Sequence, residues 1–192
     1  MSKNENEQIQ IYAEHIRKSN HKHFDELFRL LYPKLVRFAM RYTKQKAPAS
    51  DVVQDAFIAL WENRANIDPE KSLKSYMLKT VRNRSINWLQ KKANQSELLN
   101  EPIESPESMT ETEVSEVQNS TADLFKIWIQ ELPDRQREAF ELSRFDGLNH
   151  REIAAVMDIS EKTVNNHIVS ALQMLRDKYD LHQKISNRTE NE

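Results

Sequence analysis

Apolar residues recur along this chain at helical spacing in two separate stretches. In the first, Phe24, Leu27, Phe28, Leu31, Leu35, Phe38 and Tyr42 follow one another at intervals that align side chains on one helix face. Pro33 interrupts this run and predicts a kink or break, because proline removes a backbone donor. Ser50 is the expected N-cap of a second helix, on which Val52, Val53, Ala56, Phe57, Leu60 and Trp61 share a face. Asp68-Pro69 is a turn signal in the loop that follows. A third helix, over about residues 72–92, is expected to bury Leu73, Met77, Leu78, Val81 and Trp88. Arg84 falls near the same face, so either the helix bends there or the side chain reaches out to solvent.

The second stretch opens with Leu124, Ile127, Trp128 and Leu132. Leu132-Pro133 marks a break, and Pro133 is well placed at the start of the next helix, which buries Phe140 and Leu142. Gly147 ends that helix or supports the turn after it. Asn149 then caps a short helix, and Glu152, three residues on, completes a capping box. Ile153, Val156 and Met157 face inward, and Asp158-Ile159 makes the turn. Ser160 caps the last helix, whose expected buried stripe is Val164, Ile168, Ala171, Leu172 and Leu175. Opposite it lie Lys162, Thr163, Asn166, Ser170 and Gln173, with Asn165 and His167 on the flanks.

A short helix, a tight turn and a longer helix with an amide-rich outer face form a helix-turn-helix suited to base edges and phosphates in a major groove. The bland alternative is a helical hairpin with a solvated face. Two caps at the right places and the amide-rich face favour the DNA-reading element. Asp158 stands at a turn position where such motifs often carry Gly. Asp tolerates the left-handed conformation better than most residues.

Composition narrows the class. One glycine among 192 residues leaves little for hairpin turns, so the chain reads as helical throughout. The absence of cysteine excludes disulfides and thiolate metal sites. No apolar run approaches the roughly 20 residues that span a bilayer. The first ten residues are polar and lack a signal-peptide core. A cytoplasmic protein is expected.

The net charge of −2 hides a strong asymmetry. Residues 71–92 hold Lys71, Lys74, Lys79, Arg82, Arg84, Lys91 and Lys92 with no acid. Residues 94–123 hold Glu97, Glu101, Glu104, Glu107, Glu111, Glu113, Glu116 and Asp123 with no Lys or Arg. The basic block suits a phosphate backbone. The acidic block, with its prolines and serines, buries too little surface to offset the entropy of ordering. The expected organisation is therefore all-α. It comprises a flexible start (1–20), a helical domain (21–93), a flexible acidic linker (94–121), a helix-turn-helix domain (122–180) and a flexible tail (181–192).

Two outward faces stand out in the first domain. Asp51, Asp55, Ile58 and Glu62 share one on the second helix. Taken alone this is a solvated acidic face with a stray Ile; the functional alternative is a docking surface for a basic partner with an apolar anchor. The third helix turns outward Ser75, Lys79, Arg82, Asn83, Ile86 and Gln90, with Tyr76 and Asn87 nearby. Cations that follow a backbone beside rings that stack on bases suit single-stranded DNA.

Three features in order resemble bacterial extracytoplasmic-function (ECF) sigma factors. Residues Asp51-Val52-Val53-Gln54-Asp55-Ala56-Phe57, running to Leu60-Trp61, are similar to their polymerase-binding segment. Val81-Arg82-Asn83-Arg84-Ser85-Ile86-Asn87 resembles their promoter-melting and −10-recognition segment. Leu132-Pro133 through Ile159-Ser160-Glu161-Lys162-Thr163-Val164 resembles their −35-binding domain. The resemblance implies a non-enzymatic initiation factor without cofactor or small-molecule substrate, whose partners are core RNA polymerase and promoter DNA. Polymerase docking would fall to Asp51, Gln54, Asp55, Ile58 and Glu62. The −10 element would be met by Lys79, Arg82, Asn83, Ile86 and Asn87 together with the 65–72 loop, which would help hold an unstacked base. The −35 element would be read by Arg151, Lys162, Thr163, Asn165, Asn166, His167 and Ser170. Where many relatives carry Lys or Arg, this chain has Asn165-Asn166-His167, so phosphate anchoring is expected from Arg144, Arg151, Lys162 and Arg176. Members of the family are often held inactive by a membrane-bound anti-sigma factor, which makes one a candidate partner.

A dimeric helix-turn-helix regulator acting without polymerase would leave the basic helix and acidic face without a role. A helical adaptor would leave the basic block unexplained. An enzyme is the poorest fit. The histidines show no metal spacing beyond His21-x-His23, no Gly-rich phosphate loop is present, and no acid pair lies in an evident pocket.

Overall fold

The computed structural model describes residues 3–68, 70–99 and 121–189. Among them every regular element is helical: α1 (Lys3–Arg17), α2 (His21–Thr43), α3 (Lys46–Glu62), a 3₁₀ turn (Arg64–Asn66), α4 (Leu73–Leu99), α5 (Thr121–Gln130), α6 (Asp134–Arg144), α7 (His150–Met157) and α8 (Glu161–Thr189). The chain divides into two units, Met1–Thr112 and Glu113–Glu192.

In the first unit α2, α3 and α4 pack on one another around Leu27, Leu31, Phe38, Val53, Leu60, Met77 and Val81, all buried. Phe57 meets the Phe28 ring at 4.8 Å. Each such side chain contributes roughly 1.5–3 kcal/mol of burial. Contrary to the expected flexible start, residues 3–17 form a helix, and Ile9, Tyr12, Ala13 and Ile16 are buried. Their spacing is a full amphipathic stripe, and α1 packs on α2 and α4. Asn20 caps α2 by accepting from the His23 N–H at 3.2 Å.

Pro33 does not break α2, which runs continuously to Thr43. Pro33 and Arg29 are both exposed, so the carbonyl that lacks its partner lies on the solvent side. The second helix starts before Ser50, at Lys46, with Gln45 at its cap position. Pro48 then lies in the first turn, where a missing N–H costs nothing. At the other end of the unit, α4 continues through residues 94–99, past the expected linker boundary. Extending a formed helix needs no new nucleus, and Gln95, Glu97, Leu98 and Leu99 are good helix formers. The rest of the expected linker, residues 100–120, lies outside the described residues.

In the second unit Ile129, Leu132, Phe140, Ala171 and Leu175 form a core, with Trp128 and Met174 against it. Pro133 stands at the N-cap position of α6, and Gly147 takes a positive φ of 68° in the turn that follows the helix. Leu172 was expected in the buried stripe of α8 but is exposed. It lies one helical step from Ala171, at the edge of the sector that faces α5, α6 and α7. The last helix extends to Thr189, so the expected flexible tail is helical for most of its length. No helix among the described residues is long and apolar enough to cross a membrane.

Candidate functional site

The helix-turn-helix forms as its local sequence dictates. Asn149 accepts from the Glu152 N–H at 2.9 Å, and Glu152 accepts from the Asn149 N–H at 3.0 Å. This reciprocal pair satisfies two donors at the N-terminus of α7. Asp158 ends α7 in the left-handed conformation (φ 59°, ψ 49°), and its N–H bonds the Ala154 carbonyl. Ser160 Oγ accepts from the Thr163 N–H at 3.1 Å and starts α8. Ile153, Val156, Met157, Val164 and Ile168 fix the two helices together from inside. On the outside Arg151, Lys162, Asn165, Asn166 and Ser170 are exposed, and Thr163 and His167 are half-buried. All seven expected −35 residues therefore lie on α7 or α8 with at least part of the side chain open.

The outer face of α3 has the expected composition. Asp51, Gln54, Asp55, Ile58 and Glu62 are all exposed, Ile58 at 56%. The opposite face, with Val52, Val53, Ala56, Phe57 and Leu60, is buried. Arg84 resolves its position by reaching out of α4: its Nη1 lies 3.5 Å from Asp55 Oδ2 on α3.

The α4 surface departs from the expected one. Asn83 and Asn87 are exposed, and Lys79 and Ile86 are half-buried. Arg82 is only 7% exposed and Ser75 is buried too, so neither belongs to the outer face. Because α4 packs on α1, α2 and α3, its buried sector is wider than one stripe and takes in both residues. The exposed row is Tyr76, Asn83, Asn87 and Gln90.

A cavity of about 370 Å³ opens where α3 ends and α4 begins, lined among others by Asn63, Asn66, Ile67, Asp68 and Tyr76. Its rim is organised by hydrogen bonds. The Glu70 N–H donates to Asp68 Oδ1 at 3.0 Å, and Lys71 Nζ lies 3.3 Å from Asp68 Oδ2. The backbone N–H first, and Lys71 with it, hold the Asp68 carboxyl below its ordinary range. Ser72 accepts from the Ser75 N–H at 3.3 Å and fixes the first turn of α4 beside the cavity. The sequence singles out the 65–72 loop and Tyr76, and both line this cavity. That Asn63 lines the same cavity was not legible, because only packing brings the ends of two helices together. No group of three or more potential metal ligands occurs among the described residues.

The chain matches two family descriptions: sigma-70 region 2 over residues 27–95 and sigma-70 region 4 over residues 129–175. It is 31% identical to the ECF RNA polymerase sigma factor RpoE of Cereibacter sphaeroides over 156 residues, 80% of this chain and 84% of the relative. It is 26% identical to the ECF RNA polymerase sigma factor SigM of Bacillus subtilis, covering 81% of this chain and 94% of that one. The fold resembles CnrH, solved in complex with the cytosolic domain of CnrY (TM-score 0.61, 21% identity, 90% of this chain and 97% of that one). It also resembles RpoE of Bartonella quintana, solved with the anti-sigma factor NepR (TM-score 0.62, 24% identity, 81% and 96%). The chain belongs to the ECF RNA polymerase sigma factors, non-enzymatic proteins that bind core RNA polymerase and direct promoter-specific transcription initiation.

Proposed function

We propose that α3 is the surface that meets core polymerase, through Asp51, Gln54, Asp55, Ile58 and Glu62. The observation that carries this reading is a row of acids and an amide around an exposed Ile58, on a helix whose other side is fully committed to the core. An apolar anchor inside a charged rim is the composition of a specific interface, and the acids select a basic partner surface.

The cavity between α3 and α4 receives an unstacked base of the −10 element. Its volume suits one small ring system, its amides Asn63 and Asn66 offer donors and acceptors, and the exposed Tyr76 offers a ring for stacking. Lys79, Asn83, Ile86 and Asn87 follow the strand along α4. The buried Arg82 is left out of this contact set. In the second unit Arg151, Lys162, Thr163, Asn165, Asn166, His167 and Ser170 read the −35 element.

On this assignment residues 21–93 carry polymerase and −10 binding and residues 122–180 carry −35 binding, with α1 as an added part of the first unit. The protein works in the cytoplasm, where polymerase and promoter are. Two fold relatives were solved with the partner proteins CnrY and NepR, which supports an anti-sigma factor as a third partner of this chain.

Run-off transcription with core polymerase, with and without this protein, tests the proposal, together with Asp55→Arg. The variant should lose polymerase affinity while the second unit stays folded. Retained affinity would remove α3 from the interface.

A further inference from the structure

Arg64 lies in the 3₁₀ turn between Asn63 and Asn66, two residues of the cavity wall. Short 3₁₀ turns have poor hydrogen-bond geometry and hold a fixed shape best when tied from outside. Here the turn has its own bonds, Asn66 N–H to Asn63 O at 2.9 Å and Ile67 N–H to Arg64 O at 3.2 Å. Its outside tie is the Arg64 side chain. The Nη1 group donates to the Trp61 carbonyl at 2.7 Å, and Nε donates to Ser19 Oγ at 2.9 Å. The guanidinium carbon also sits 4.5 Å from the centre of the Trp61 ring. Ser19 belongs to the α1–α2 turn, where its φ of 61° places it in the left-handed region. Two residues on, His21 packs against the same indole at 4.3 Å. The turn after α1 and the wall of the cavity are thus fastened together through one arginine.

We propose that Arg64 is a positioning residue for −10 recognition: it fixes the Asn63–Asn66 wall against the α1–α2 turn and so sets the shape against which the unstacked base is read. The inference rests on the cavity as the base site. A planar fork presents its Nε and Nη donors in fixed directions while its flat face lies on a ring, a geometry that the compact ammonium on its flexible stem does not reproduce. The N-terminal helix thereby acquires a part in promoter discrimination without touching DNA.

The test uses holoenzyme assembled with the full chain and a set of promoters that differ by single bases across the −10 element. Open-complex formation is read on each promoter, and core affinity and the melting temperature are measured beside it. Arg64→Ala should compress the ratio of best to worst promoter by about tenfold, the scale of effect that a displaced positioning group can have. Polymerase affinity should stay unchanged. Ser19→Ala, which removes only the Nε acceptor, should give a smaller compression of the same pattern. Arg64→Lys should resemble Arg64→Ala. A uniform loss on all promoters with a shallower salt dependence would make Arg64 a phosphate contact and overturn the proposal. Full rescue by Lys would overturn it as well. Asn66→Ala and Tyr76→Ala separate the two levels. If they leave discrimination intact, the base-site reading fails; if they alter it and Arg64→Ala does not, only the role of Arg64 fails.

Discussion

Arg84 on α4 reaches across to Asp55 on α3, joining the basic helix to the acidic face at 3.5 Å. Both groups are substantially exposed, at 39% and 63% of their side chains. An exposed pair of this kind contributes about 0–1 kcal/mol. Arg84→Ala should therefore leave the melting temperature of the first unit nearly unchanged. Because Asp55 is then free of an internal partner, its affinity for core polymerase should hold or rise modestly, whereas Asp55→Arg should weaken it by at least about tenfold, or 1.4 kcal/mol. Fluorescence titration of labelled protein with core polymerase measures both.

The buried stripe of α1 predicts that this helix belongs to the fold. Ile16 is fully buried. Ile16→Ala should destabilise the first unit by about 2–5 kcal/mol. Denaturant unfolding followed by Trp fluorescence checks it; a loss under 1 kcal/mol would mean that α1 is only loosely attached.

In the helix-turn-helix, Asn149→Ala removes the cap and half of the reciprocal pair, at a cost of about 1 kcal/mol. At Asp158 the left-handed backbone sets the direction of the exchange: Gly should be tolerated or stabilising, while Val should cost more than 1 kcal/mol. Thermal unfolding of the four proteins gives the order, and −35 binding should follow it.

Asp68 supplies a pH dependence. The Glu70 N–H and Lys71 hold its folded carboxyl below the ordinary aspartate range, so its contribution to rim stability is present above the unfolded value and is lost as pH falls through the folded one. Between about pH 5 and 8 the rim should not change through this group. A carbon-13 titration of the Asp68 carboxyl should give a midpoint below that of a free aspartate, and Lys71→Ala should move it upward.

The outward side of α8 beside the proposed −35 residues carries few cations, so phosphate contacts should be few. Lys162→Ala and Arg151→Ala should each reduce the salt slope of −35 binding by about one and weaken binding on all sequences alike. Asn166→Ala should instead relax preference at particular bases. Competition binding over a salt series distinguishes the two behaviours.

Periodicity and caps carried most of the helical layout. The Asn149–Glu152 box and the Asp158 turn are written in a few adjacent residues, and local hydrogen bonds decide them. The helix at the start is hard to read from sequence because Ile9, Tyr12, Ala13 and Ile16 sit among charged and amide residues, and their spacing gains weight only once α2 and α4 supply a surface to cover. The burial of Arg82 has a similar origin. A helix touched by three others has no simple outward half, and the sequence of α4 does not say how many neighbours it will have. The α3 face was easier to read because that helix buries one side only. The cavity needs the C-terminal end of α3 beside the first turn of α4, a tertiary relation that no spacing within either helix encodes.

In both units helices pack chiefly on neighbours that are close along the chain, as α3 does on α2 and α4, and α7 on α6 and α8. Contacts of short sequence separation let a domain fold within microseconds to milliseconds. Ribosomes add only about 5–20 residues per second, so 192 residues take roughly 10–40 s to make. Each unit can then finish folding almost as soon as its last helix clears the exit tunnel. The delay between a new message and a competent initiation factor is set by translation, and a cell that makes this protein on demand waits for synthesis rather than for the chain to find its shape.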